Sequence, residues 1–469
     1  MNSKIEKTLA GLLTLCVVIG LAGCSPYIDN SQVDNIVVFP AADEDKEPQL
    51  LGMETQPVIS YTGKEQLPGV LVSQVGYSKT GDKWVIFRGS RLPEEFHILD
   101  RETGKVVYTG VIEVEALDET EEASVRELVG YGDFTGFQTE GNYYIECDYI
   151  GRSYHFQIKD QLYTSLMEEL LKTLDDRPIL QAEQGKTVTE AEIIAQCRNI
   201  SGLLLAVELF PNAQMNKVNG LENKTPDVLE YATEQVAALT AFQDAETGGL
   251  GSASAWYCAT LAKFSYSYQK YDSTFATKCL QAADKAWKYI DSDPDVVQEA
   301  ERFYAAAELY RATGKYRYHA VAKELGGKLL PDTQNESLTY GGITYISTKW
   351  NLDKNMCNTF IKDLMNQAEV ISLESKDATY MSKALVTEGQ TQKLFQQMLV
   401  MSVVDYIITN QEYAYAIERH HLYLGGRNEE GNSFLNYEVC DTLSQADILS
   451  NPEYFGRYFL MLSEIKSHE

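Results

Sequence analysis

The sequence predicts a multidomain chain in which a β-sandwich precedes an all-α domain. Three observations carry this. Residues 67–160 hold short segments that alternate apolar and polar side chains, with turn residues between them. From Leu162 to the C-terminus the apolar spacing changes to three and four. Ahead of both, residues 1–66 hold an apolar leader and then an acidic stretch without sustained periodicity.

The leader comes first. Lys4 and Lys7 precede an apolar run from Leu9 to Leu21. That run is short for a membrane span and has the layout of a signal peptide. It ends in Leu21-Ala22-Gly23-Cys24, which resembles a bacterial lipobox. The small residues admit a peptidase to the backbone, and the Cys24 thiol receives the lipid. The expectation is a lipoprotein signal over 1–24 and an exported, cell-surface protein held to the membrane only through Cys24. An ordinary signal peptide or an anchor helix is the alternative. Residues 25–66, rich in Asp, Glu, Pro, Ser and Gln, read as a flexible acidic tether. No later stretch reaches transmembrane length.

Over 67–160, Tyr154, Phe156 and Ile158 alternate with His155 and Gln157, the pattern of a half-buried strand. Phe96–Leu99 and Val106–Tyr108 flank Thr103-Gly104-Lys105 and read as a hairpin. Gly136 to Tyr144 places a turn before an aromatic strand. Several short strands in so short a span indicate a β-sandwich.

The helical part spans 161–469. Asp272 is placed to cap a helix whose face is Phe275, Cys279, Ala282, Ala286 and Tyr289. Phe303, Ala306, Ala307 and Tyr310 form another face, closed by Gly314 as a C-cap. About eleven or twelve such segments joined by short loops suit an (α/α)6 toroid and leave other all-α arrays open.

Composition narrows the partners. The 469 residues are 44% hydrophobic, enough for a full core, and carry a net charge of −28. That balance argues against nucleic acid and anionic lipid as partners, because phosphates recruit Lys and Arg. The acid run Asp118–Glu122 reads as solvated loop, with calcium binding as the functional alternative. Six cysteines lie outside the leader and lipobox: Cys147, Cys197, Cys258, Cys279, Cys357 and Cys440. They form no C-x-x-C pair, so no zinc site is expected. Cys279 falls on an apolar stripe and reads as a buried thiol; the spacing leaves disulfides open.

Several segments together resemble one family. Val-Leu-Val-Ser-Gln-Val-Gly-Tyr (70–77), the stretch 133–145 and the stretch 152–158 resemble the immunoglobulin-like module that precedes the catalytic domain in many family 9 glycoside hydrolases. Residues 203–212, 225–230, 305–314 and Leu-Gly-Gly-Arg-Asn-Glu-Glu-Gly-Asn-Ser-Phe (424–434) resemble helices and loops of that family in its order. The resemblance implies an immunoglobulin-like β-sandwich followed by an (α/α)6 toroid. It also implies β-1,4-glucan or a related polysaccharide as ligand.

The family's inverting chemistry needs a carboxylate that activates water and a carboxylic acid roughly 6.5–9.5 Å away. The Asp-Ala-Gly-Asp motif that handles the water has no counterpart before the helix expected at Asn199–Phe210. Glu190 and Glu192 are the nearby carboxylates, at a helix start where acids are favoured anyway. At the family's general-acid position stands Pro452, with Glu453 one residue later; Glu453 is the candidate acid. His420-His421 lies upstream of Gly425, away from the family's His-His-Arg position, and reads as surface or partly buried histidine. Gly248 to Ser252 reads as a connection. Trp350, Tyr423 and Arg427 are the candidates for substrate contact, with Trp350 the best aromatic platform. Trp256 and Trp287 read as core. No cofactor is required, with structural calcium as the alternative. The expected function is a degenerate family member that binds polysaccharide with lost or weak hydrolysis. The alternatives are an active hydrolase using Glu453 with an unrecognised base, and a protein-binding scaffold.

Overall fold

The computed structural model describes residues 68–114, 128–181, 187–213, 225–330 and 334–469. The leader, Cys24, the tether and Asp118–Glu122 lie outside the described residues. Residues 68–469 form one compact unit.

Its first part is a two-sheet sandwich. One sheet is built from β1 (Val70–Leu71), β3 (Trp84–Gly89), β7 (Leu128–Asp133) and β6 (Glu113–Val114), side by side in that order. The other runs β2 (Tyr77–Ser78), β10 (Phe156–Lys159), β8 (Gly141–Cys147), β4 (Glu95–Asp100) and β5 (Val106–Val111), with β9 (Gly151–Arg152) added to β8. Pairing is antiparallel except between β2 and β10. The expected hairpin is β4–β5. Asp100 accepts from the Thr103 backbone N–H, and Gly104 takes φ 64°, which the reversal of the chain demands. Phe87, Phe96, Ile98, Tyr143, Ile145, Phe156 and Ile158 fill the space between the sheets. Tyr154 precedes β10 instead of opening it.

Twelve α-helices follow among the described residues: α1 (Leu162–Lys172), α2 (Glu190–Leu209), α3 (Asp227–Thr240), α4 (Ser254–Tyr268), α5 (Ser273–Ser292), α6 (Glu299–Thr313), α7 (Tyr316–Leu329), α8 (Glu336–Ile346), α9 (Lys354–Lys376), α10 (Thr391–Ile408), α11 (Gln411–Leu424) and α12 (Pro452–Ser467). The even-numbered helices α2, α4, α6, α8, α10 and α12 include the most completely buried ones and form the inner ring of an (α/α)6 barrel. The expected caps are present: Asp272 accepts from Thr274 N and Phe275 N, and Gly314 closes α6 at φ 68°. Inner helices pack directly from α10 through α12, α2, α4 and α6 to α8; α9 spans the step from α8 to α10.

Two close approaches set the geometry. A Cβ at Gly456 of α12 would lie 2.0 Å from Asn199 O of α2, so these backbones touch. At the sandwich, a Cβ on Gly425 would meet Ser73 and Val75. Gln74 N–H donates to Gly425 O at 2.8 Å, and its side chain donates to Gly431 O at 2.9 Å. The Leu-Gly-Gly-Arg stretch is therefore the seam between sandwich and barrel. Arg419 adds an ion pair to Asp82, and Leu422 sits in the sandwich core.

All six cysteines are free thiols. Cys279 is buried, as its stripe predicts. Among the described residues, no helix is long and apolar enough to cross a membrane.

Candidate functional site

Inner helices α6, α8 and α12, like α2, begin at one end of the barrel with an acid in the first turn. Asn451 caps α12 by accepting from Glu453 N at 2.9 Å, Pro452 takes N1, and Glu453 follows. Asn335 caps α8 through Ser337 N and Leu338 N, and Glu336 follows. In α6, Gln298 and Glu301 form a capping box. The helix dipole accounts for acids at all three places.

Two guanidiniums meet these acids. Arg198 reaches from α2, where the α2–α12 backbone contact brings it beside the start of α12. Its Nε lies 2.9 Å from Glu336 Oε2, and its Nη1 donates to Glu453 Oε1 at 2.9 Å. Arg457, one turn beyond Glu453, lies 3.1 Å from Glu336 Oε1 and 3.9 Å from Glu453 Oε1. It also donates to the Glu453 carbonyl. Glu336 is thus held between two cations, and Glu453 is an acceptor in the same network. Arg457 and Glu336 are buried, with side chains 1% and 8% exposed. Below lies an aromatic floor: Trp256 packs edge-on to Tyr304 and Tyr340, and Arg198 sits 5.3 Å above the Trp256 ring.

A cavity of about 880 Å³ opens beside this network, where α8 and α10 part. Arg198, Glu301 and Glu336 line it, and amides dominate the rest, among them Gln298, Asn335 and Gln397. Gln396 bridges α10 to α8 through Thr339 at 2.9 Å. Burial raises the Glu301 carboxyl above its ordinary value, against the opposing pull of its hydrogen bonds and of Arg198.

The substrate-contact candidates fall elsewhere. No Trp, Tyr or Phe lines the cavity among the described residues. Trp350 follows the far end of α8, roughly 16 Å along an 11-residue helix from the cavity end. Its ring covers Gly314, and its indole N–H donates to Arg311 O at 3.1 Å. Tyr423 is fully buried, and its hydroxyl accepts from Val386 N. Arg427 is fully buried at the sandwich seam and donates to Arg419 O. None of the three meets the cavity: the motif that contains Arg427 serves the seam, and Trp350 serves a loop.

The other candidates resolve as follows. Glu192 completes a capping box with Thr189, and Glu190 accepts from the Ser252 backbone N–H, anchoring the Gly248 to Ser252 connection. His420 and His421 are buried instead of surface residues; burial lowers them to about 4 and about 3 and keeps them neutral. Trp256 and Trp287 are core. Glu453 stands in the first turn of α12, paired with Arg198. Arg198, Arg457, Glu336 and Glu301 were not singled out in the sequence, although a first-turn acid after an Asn cap is a readable signal for Glu336.

A family model described as cellulase N-terminal ig-like domain matches residues 65–152, and one described as glycosyl hydrolase family 9 matches residues 226–437. A cellodextrinase from Butyrivibrio fibrisolvens is 24% identical over 203 residues, 36% of this chain and 37% of that protein. The chain therefore spans well under half the length of that relative. Among solved structures, a Bacteroides ovatus family 9 glycoside hydrolase superposes with a TM-score of 0.68 at 15% identity, covering 85% of this chain and 99% of that one. A metagenome-derived family 9 endoglucanase gives 0.67 at 16% identity, covering 85% and 98%. AaCel9A in complex with a cellobiose-like isofagomine gives 0.64 at 18% identity, covering 82% and 89%. At these identities the likeness is one of fold.

Proposed function

The chain belongs to glycosyl hydrolase family 9, with the cellulase-type immunoglobulin-like module in front, and from that premise we propose that it binds β-1,4-glucan or a related polysaccharide at the barrel mouth with hydrolysis lost or weak. The observation that carries this reading is the charge network. Glu453 accepts from Arg198, and Glu336 lies between Arg198 and Arg457. A carboxylate paired with a guanidinium spends its oxygens on that partner, and the pair must open before the carboxyl can meet a glycosidic oxygen. The segment ahead of α2 supplies no Asp pair to activate water. What remains is a large cleft lined by amides, which donate to and accept from hydroxyls. AaCel9A bound to its cellobiose-like ligand supports a glycan in that role.

A second reading, an active hydrolase, draws on Glu301. It stands in the cleft, and burial favours its protonated form, as a general acid requires. One assay separates the two. The full chain is tested for binding to, and reducing-end release from, β-glucans and xylans, beside Glu453→Gln and Glu301→Gln. Binding without release is expected. Release abolished by either substitution would establish hydrolysis and overturn the proposal. Neither binding nor release would point to a protein-binding scaffold.

The reading includes export and lipidation at Cys24, supported by Lys4, Lys7, the apolar run and Leu21-Ala22-Gly23-Cys24. In cells fed a labelled fatty acid, the chain should carry label and fractionate with membrane. Cys24→Ala should lose the label; an equally labelled variant would contradict the anchor.

A further inference from the structure

The barrel end opposite the cleft carries a second cluster of chemistry-bearing groups, unrelated to the family motifs. Helix α12 ends with Glu464 and His468, four residues apart and therefore on one face. Asp405 meets them from the last turn of α10. His468 Nε2 lies 2.8 Å from Asp405 Oδ2 and 3.1 Å from Glu464 Oε1. One donor atom from each of the three falls within 4.8 Å of the others. The Asp405 and Glu464 side chains are 3% and 0% exposed, so two carboxylates share a buried site. Glu464 Oε1 meets the His468 ring alone, and the buried Oε2 has no hydrogen-bond partner. Burying a carboxylate without full hydrogen bonding is costly, and a bound cation is one of the few ways to offset it.

The surroundings suit an ion. Asn410 N–H donates to Asp405 Oδ1 at 2.9 Å, which fixes the carboxylate and leaves Oδ2 for the cluster. A cavity of about 450 Å³, lined by His468, Glu418, Gln411 and Glu469 among others, reaches the cluster on its His468 side. We propose that Asp405, Glu464 and His468 form a binding site for a divalent first-row transition-metal ion, with a remaining coordination position facing that cavity. One imidazole and two carboxylates match the donor preferences of Zn²⁺, Mn²⁺ or Fe²⁺. Calcium takes oxygen donors only, and the imidazole argues against it. Binding requires the neutral imidazole, so His468 gives up its proton as the ion enters. The ion would hold the C-terminus in place: the neighbouring Glu469 carboxylate caps α1 by accepting from Tyr163 N and Thr164 N at 2.8 and 2.9 Å.

The test uses the full chain, stripped with a chelator and titrated with ZnCl2 by calorimetry, with bound metal counted by mass spectrometry. One ion per chain and a higher melting temperature are expected. Asp405→Asn and His468→Gln should each weaken that binding ~10-fold or more. The His468 side chain is partly exposed, so its substitution is compatible with folding, which far-UV circular dichroism checks. A Co²⁺-loaded sample should show a visible absorption that His468→Gln alters. Absence of saturable binding would overturn the site. So would binding of equal strength in both variants, which would place the ion elsewhere, for instance on the free thiols.

Discussion

Arg457 shows how a single residue controls the barrel mouth. Its guanidinium is 1% exposed and faces Glu336, itself 8% exposed, while also closing on the Glu453 carbonyl. Removing one member of a buried pair strands the other in low dielectric. Arg457→Ala should therefore destabilise the fold by about 3–5 kcal/mol in chemical denaturation. A loss below ~1 kcal/mol, typical of surface pairs, would mean that the network is solvated. Glu453 itself was legible in the sequence, one residue past Pro452 at the family's general-acid position. Its partners were not. Arg198 lies about 250 residues earlier and has no local signal that it will face Glu453.

At the scale of elements, small residues decide which helices touch. Gly202 of α2 and Gly456 of α12 let the two backbones meet, since a Cβ at Gly202 would lie 2.6 Å from the Gly456 backbone. That contact delivers Arg198 to Glu453. Gly456→Ala has no flexible side chain to push aside, only backbone. It should cost about 1–3 kcal/mol through overpacking, despite the higher helix propensity of Ala, and should weaken the proposed glycan binding together with stability. Equal or greater thermal stability in this variant would show that the helices part without consequence. The caps were readable ahead of the structure because they are local: Asp272, Gly314 and the Asn451–Glu453 turn act within a few residues. The seam was not. The Leu-Gly-Gly-Arg stretch resembled a barrel loop, yet its Gly425 faces Ser73 and Val75 and its Gly426 faces Val72 and Gln74, more than 300 residues away.

For the molecule as a whole, the sandwich and barrel share core and hydrogen bonds, with Leu422 in one and Val75 in the other. Calorimetry should record one cooperative transition for residues 68–469; Asp82→Ala, which frees Arg419, should lower its midpoint. The barrel's far end also holds a buried polar group. There Lys263 lies 2.7 Å from Glu208 and 3.9 Å from Glu308, and Arg311 pairs with Glu208. Burial alone would raise the Glu208 carboxyl, but Lys263 and Arg311 outweigh it and bring it down from 4.5 to about 2. A depressed acid adds stability above its unfolded value and loses it as pH falls through the folded value. Glu208 should contribute about 3 kcal/mol near neutrality, lost between about pH 4.5 and 2. Burial moves Glu308 the other way, so its share opposes that slope. Glu208→Gln should flatten the acid limb of a stability–pH curve. An unchanged limb would remove Glu208 from the account.

The sequence by itself determined the order of the parts, the change from period two to helical spacing, the caps, the family resemblance and the missing Asp pair. Each is local, or a motif read along the chain. Only the tertiary structure decided what surrounds Glu453, that Trp350, Tyr423 and Arg427 leave the cleft, and that Asp405 joins Glu464 and His468. The physical reason is the same in each case. A charge is defined by its neighbours in space, and in a closed ring of helices those neighbours come from segments that no spacing along the chain connects.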